Sequence, residues 1–274
     1  MQLWLITVNF HDTAPTKSLI DSLSLVENFE SVKVGIADNE ATKISNIELE
    51  KIIDNSEIDI KIFSYIKNLY YWPAAKKVIN TIKNIKGSYP DWVLVCNNDI
   101  TFSDRNFIKI LSKIDVKEYP IIAPNIINSK GENLNPFLIS PLSRLDRLYW
   151  NLYFISFSFS RLMLFIKNFL RAFRFRLNKK NISRKRQIYA AHGSAIIFSS
   201  SFFLNGGYFD DNFEMYGEEL TIAEIAKKLN IPITYFPELE VIHNEHKSTK
   251  MIDKRTLFNL AKKSHRYYQS TYSR

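Results

Sequence analysis

A single cysteine, Cys96, leaves this 274-residue chain without an internal disulfide. It also excludes a zinc site built on several thiolates. Seven glycines and nine prolines are too few for a collagenous or low-complexity chain. No G-x-G-x-x-G and no GKS or GKT occurs, so a Rossmann dehydrogenase and a P-loop NTPase are both disfavoured. Any phosphate bound here has to be neutralised by side chains or a metal ion. Long apolar runs are missing too. Arg147 and Lys167 bracket 19 residues that Arg161 interrupts, against the roughly 20 apolar residues of a membrane span. Leu3 to Val8 is too short for the core of a signal peptide and runs into Asn9, His11 and Asp12, so no leader is expected.

What remains is an ordinary globular balance, 46% apolar and 24% charged, at a length that suits one large domain or one domain with an appendage. The net charge of +9 is uneven. Twelve Lys and Arg face one acid, Asp146, between Pro141 and Ile188, and the rest of the chain is slightly acidic. A nucleic-acid partner is therefore not expected, because the basicity belongs to one segment.

Short apolar runs at Leu3–Val8, Val32–Ala37, Ile58–Tyr65 and Trp92–Cys96 read as buried strands. Helical stretches at Pro15–Glu27, Asn46–Asn55 and Pro73–Ile85 separate them. This alternation predicts an α/β fold with a doubly wound, mostly parallel sheet. Ligands of such sheets sit beyond the carboxyl ends of the strands. Three strands end there in polar groups: Asn9, then Asp38 with Asn39, then Asn97, Asn98 and Asp99. Each alone has a plain explanation as a turn or cap residue. Three on one edge point to a polar ligand.

The ordered set resembles a known family. Thr7-Val8-Asn9-Phe10, Ala37-Asp38-Asn39 and Cys96-Asn97-Asn98-Asp99-Ile100 are similar to successive motifs of family 2 glycosyltransferases with the GT-A fold. Gly193 to Ile197, Gly206-Gly207-Tyr208-Phe209-Asp210, Met215 to Glu219 and the run from Tyr235 to His243 continue the order. The likeness covers residues 1–136 and 189–250. It implies an inverting enzyme of bacterial surface-polysaccharide type, with a nucleotide-sugar donor and a divalent cation, Mn or Mg. By resemblance Asp99 holds the metal and His243 completes its shell. Glu219 is the base, with Glu218 as the competing choice. Thr7, Asn9, Asp38, Asn39, Asn68, Asn97 and Asn98 surround the nucleotide sugar. The chain departs from the pattern at three places. Glu219 replaces an aspartate, Thr221 replaces a further acid, and Tyr70 replaces the glycine of an N-x-G-[FY] turn. A nucleotide-sugar-binding protein without transferase activity, and a basic adaptor on a degenerate fold, are the competing readings.

Residues 137–188 lie outside the likeness. Ten aromatics fall between Tyr149 and Phe175. From Arg161 onward Leu162, Phe165, Ile166, Phe169 and Phe173 share a helical face, with Lys167, Arg171 and Arg174 opposite. An interfacial helix on an anionic membrane surface fits this pattern, and so does a core or oligomer contact. On the first reading the enzyme is cytoplasmic and peripheral on the inner face of the cell membrane, where a lipid-linked or other glycan acceptor is met. The division expected is a nucleotide-sugar half (1–136), the basic insert (137–188), a catalytic and acceptor half (189–250) and a basic tail (251–274), read as a solvated helix.

Overall fold

A computed structural model describes residues 1–173, 184–245 and 253–273, with side chains of 166–173 left aside. Strands β1 (Leu3–Phe10), β2 (Val32–Asn39), β3 (Asp59–Tyr65) and β4 (Trp92–Asn97) alternate with helices α1 (Ala14–Leu23), α2 (Lys43–Asp54) and α3 (Tyr71–Lys86). Local chemistry sets these bounds. Asp12 accepts from the Ala14 amide at 2.9 Å and Pro15 sits in the first turn of α1. Thr42 and Ser45 form a reciprocal cap on α2, and Gly87 closes α3 with φ of 73°. Beyond β4 come β5 (Ile100–Phe102), α4 (Phe107–Leu111) and β6 (Ile121–Asn128). Helices α5 (Arg144–Tyr153) and α6 (Phe157–Phe173) follow, then β7 (Arg186–Ile188), β8 (Ala195–Ser199) and α7 (Ser200–Leu204). The chain ends with α8 (Glu218–Lys228), β9 (Ile233–His243) and α9 (Lys254–Tyr272).

The strands form one sheet in the order β3-β2-β1-β4-β8-β6-β9-β5, with β7 beside β9. The first four pair in parallel and β6 pairs in parallel with β9. β8, β5 and β7 add antiparallel pairs. Alternation along each strand feeds two cores. Trp4, Ile6, Val93 and Val95 pack with Trp72, Val78, Phe202 and Ile222 on one face. Leu3, Leu5, Val34 and Leu94 pack with Leu19, Leu49 and Phe107 on the other. The mostly parallel, doubly covered sheet expected from the sequence is present, and every expected strand and helix of the N-terminal half lies within a few residues of its place.

Two expectations change. The C-terminal segment is not a solvated helix: Phe258, Ser264 and Tyr268 of α9 are buried. Tyr267 and Tyr272 donate to Asp210 Oδ2 at 2.7 and 2.5 Å, and Tyr268 donates to Glu224 Oε1 at 3.0 Å. The helical stripe Leu257, Ala261, Ser264, Tyr268 was visible in the sequence, but high local charge masked it. The basic insert also ends inside the sheet, because Arg186 to Ile188 pair with β9. Arg174 lies outside the described residues, and Lys167, Phe169, Arg171 and Phe173 belong to the part of α6 whose side chains are left aside. Among the described residues no helix is long and apolar enough to cross a membrane.

Asp210 is the anchor of α9. Burial would raise its carboxyl, but hydrogen bonds from Tyr272, Tyr267 and Asn212 outweigh that and hold it below its usual range. Asp210→Ala strands two phenols and is expected to lower stability by about 3 kcal/mol, measured by urea unfolding. Asp210→Asn keeps an acceptor and should lose less.

Candidate functional site

The carboxyl ends of β1, β2 and β4 meet the start of α8 around a cleft of about 230 Å³. Asn39, Asn68, Asn97, Asn98, Asp99 and Glu218 line it, with Val8, Phe10, Tyr70 and Tyr216. The strand-end polar groups do converge, but they fall into two layers. Thr7, Asn9 and Asp38 are fully buried and do not line the cleft. Asn9 donates to Asp38 Oδ1 at 2.9 Å and Ser45 donates to Asp38 Oδ2 at 2.8 Å. Asn98 donates to Thr16, and Thr16 donates to Asn9 Oδ1. This chain of hydrogen bonds fixes the edge from below, so Asp38, which the resemblance sets around the nucleotide sugar, has both carboxylate oxygens engaged by Asn9 and Ser45. A buried carboxylate whose two oxygens are both satisfied has a structural use, and sequence position alone does not separate that from ligand binding.

Asn39 holds the turn before α3. Its side chain donates to the Tyr70 carbonyl and accepts from the Leu69 amide. Tyr70 sits at φ 60°, ψ −174°, a conformation open almost only to glycine. The glycine missing from the sequence motif is thus still required by the backbone, and the tyrosine ring is used as cleft wall at a conformational cost. Trp72 is core, stacked on Phe209 at 4.4 Å, and Tyr71 donates to the Gly193 carbonyl at 3.0 Å.

Asp99 and His243 meet across the β5–β9 pair, where Ile100 is in register with His243. The His243 Nε2 lies 3.1 Å from Asp99 Oδ1 and 3.5 Å from Asn97 Nδ2. Its Nδ1 is buried with no hydrogen-bond partner among the described residues. His192, which sequence reasoning did not single out, places its ring 6.2 Å from that of His243. Among the described residues no group of three or more His, Cys, Asp or Glu could hold a metal. One carboxylate and one imidazole nonetheless suit Mg²⁺ or Mn²⁺ when phosphate oxygens supply the remaining ligands.

Opposite stands the pair at the start of α8. Glu218 lines the cleft with Asp99 and accepts from the Gly217 amide at 2.9 Å. Glu219 faces a second, larger cavity of about 900 Å³ and accepts from the Gly193 amide at 3.2 Å. Burial pushes both carboxyls up, and for Glu219 the charge of Glu218 pushes further. Thr221 is buried and donates to the Gly217 carbonyl, so it secures the turn and supplies no acid. Gly193 makes room for both carboxylates: a Cβ there would lie 2.7 Å from Glu218 and 2.9 Å from Glu219. Gly193→Ala should therefore displace the carboxylate tips without disturbing the core. The expected result is turnover down by about 100-fold, with a melting temperature within a few degrees of the parent.

The two cavities are thus separated by adjacent residues of one helical turn. The larger one was not foreseen. Its walls are α5, α6 and α9, and they use the aromatics that the sequence suggested for a membrane face. Phe165 is 69% exposed and lines this groove.

No family model matches the chain, and no curated protein does. Solved structures do resemble it. GalNAc-T7 with UDP, GalNAc and Mn²⁺ aligns at a TM-score of 0.59 and 12% identity over 90% of this chain. TarS of S. aureus in complex with UDP-GlcNAc aligns at 0.58 and 13%, again over 90%. The mannosyltransferase PcManGT of Pyrobaculum calidifontis, with GDP-Man and Mn²⁺, aligns at 0.54 and 10% over 98%. This chain spans 44% of GalNAc-T7, 59% of that TarS chain and 70% of PcManGT. A longer TarS chain is covered over 37% of its length. The fold of this chain is the GT-A type, that of nucleotide-sugar-binding glycosyltransferases.

Proposed function

We propose that this chain is a metal-dependent, inverting glycosyltransferase of the family 2 kind. It moves one sugar from a nucleotide-sugar donor to a lipid-linked glycan acceptor in bacterial surface-polysaccharide assembly. The observation that carries the reading is the placement of Glu218 and Glu219 on one turn, the first facing the cleft that Asp99 lines, the second facing the larger groove. A donor and an acceptor have to meet with a base between them, and a carboxylate pair between two cavities supports that reading.

Asp99 and His243 would hold the cation, which supplies Lewis-acid stabilisation of the departing diphosphate. Asn97, Asn98 and Asn68 offer amide groups to the nucleotide sugar from the cleft walls, Asn39 holds the Tyr70 turn beside them, and Asn9 with Asp38 holds the edge beneath, next to the buried Thr7. Glu219 takes the proton from the acceptor hydroxyl as its oxygen attacks the anomeric carbon. The acceptor arrives from the groove side and the diphosphate leaves on the Asp99 side, so configuration inverts. Burial keeps Glu219 more basic than an ordinary carboxylate, which suits proton removal near neutral pH. The N-terminal 136 residues serve as the donor half, the 137–188 segment and α9 build the acceptor side, and the enzyme works on the inner face of the cell membrane.

Release of nucleoside diphosphate from UDP-, TDP- or GDP-sugars tests this. Mn²⁺-dependent release from one series, lost with EDTA, supports the reading. No release from any series, in folded protein with an acceptor extract present, removes it.

A further inference from the structure

The groove beside Glu219 is lined by Trp150, Tyr153, Phe154, Phe157, Phe165 and Phe258, and its volume is at the upper end for a dedicated ligand site. Its polar lining is mostly satisfied from within. Ser160 donates to the Phe157 carbonyl, Ser264 to the Met215 carbonyl and Tyr268 to Glu224, while His265 pairs with Asn151. The cations are different. Among the described residues the Arg147 side chain makes one hydrogen bond, from Nη1 to Ser273 Oγ at 3.1 Å, and its buried Nε has no partner there. Among the described residues Arg147, Arg161 and Lys254 form no ion pair, yet all three line the groove. A half-buried guanidinium with no counter-ion among the described residues, set in an aromatic wall, calls for an anion attached to an apolar body.

We infer that this groove is the receptor for a single-chain lipid phosphate or diphosphate, with the chain along α5, α6 and α9 and the phosphate on Arg147 and Arg161. The inference rests on the transferase reading and deepens it. The lipid part of the acceptor is recognised by the protein itself, and the aromatics that line the groove hold one lipid molecule in place of lying in the bilayer.

Tryptophan fluorescence reads this directly. Trp4, Trp72 and Trp92 are buried, so Trp150 is the one of the four tryptophans that is exposed, and it lines the groove. Titration with geranylgeranyl diphosphate, in detergent-free buffer below its micelle concentration, should change Trp150 emission saturably. Geranylgeraniol and inorganic pyrophosphate should each bind at least about tenfold more weakly, since each lacks half of the recognised chemistry. Arg147→Gln should weaken diphosphate binding by a similar factor. Arg161→Gln, at an exposed position, tests the same point where folding is not at stake. Equal binding by both variants and the parent overturns the inference. So does a Trp150 response to phosphatidylglycerol vesicles with none to geranylgeranyl diphosphate, which would make the insert a membrane contact. Nucleotide-sugar binding, measured on the same sample, separates the two failures. If it persists while the lipid does not bind, only the groove assignment falls. If the lipid binds and no nucleotide sugar does, the acceptor role falls with the transferase reading.

Discussion

Glu219→Gln is expected to cut sugar transfer by about 1,000-fold while leaving donor binding in place, the loss typical of removing a positioned general base. The amide keeps the size of the carboxyl but cannot take a proton from the acceptor hydroxyl. Glu218→Gln should cost less, because Glu218 faces the donor cleft and its second role is to raise its neighbour. The parent enzyme should show an acid limb in kcat/KM displaced upward from the ordinary carboxylate range, since only the deprotonated Glu219 is active. Stability should move the other way. A carboxyl raised by burial binds its proton more tightly in the folded than in the unfolded state. Stability then falls as pH rises from the unfolded value through the folded one. Glu219→Gln removes that cost, so its melting temperature at pH 8 should exceed the parent's, and the difference should vanish near pH 4. An inactive yet more stable variant is the signature of a strained catalytic group. Loss of activity with loss of stability would instead mark Glu219 as a structural residue.

Asp99→Ala should be equally severe for a different reason. Asp99 is the carboxylate 3.1 Å from His243, so its removal would leave the proposed cation with an imidazole alone. Transfer should fall by about 1,000-fold or more, the several kcal/mol of charge stabilisation that a bound cation supplies. Donor binding should also lose its response to Mn²⁺, which Glu219→Gln should not. The melting temperature needs to stay within a few degrees of the parent for this comparison to hold. Full activity in Asp99→Ala would remove the metal assignment.

The N-terminal half of the fold was legible because its strands are apolar on both faces and stop at polar residues, a pattern that leaves few alternatives to a parallel sheet. Asp99 and Glu219 stood out by motif order alone; in the folded chain Asp99 lines the smaller cavity and Glu219 the larger one. Asp38 shows where such reading stops. An aspartate at a strand end looks the same whether it meets a ligand or, as here, Asn9 and Ser45. Tyr70 shows a second limit: the glycine-only backbone persists although the glycine does not, and no propensity reveals that. The groove was invisible for a third reason. Its walls come from the neighbouring helices α5 and α6 and from α9, which starts only at Lys254, and an aromatic stripe reads the same whether it meets lipid, core or a cavity. Asp210 and Glu224, which dock α9 through tyrosine hydroxyls, are likewise long-range partners that only the folded chain joins.

Calorimetry with UDP-, TDP- and GDP-sugars, in Mn²⁺ and in EDTA, tests the donor site at the centre of this account. One nucleotide series is expected to bind with Mn²⁺, with EDTA abolishing the binding and Asp99→Ala doing the same. Binding to none of them by folded protein would contradict it, and so would binding that EDTA and Asp99→Ala both leave unchanged.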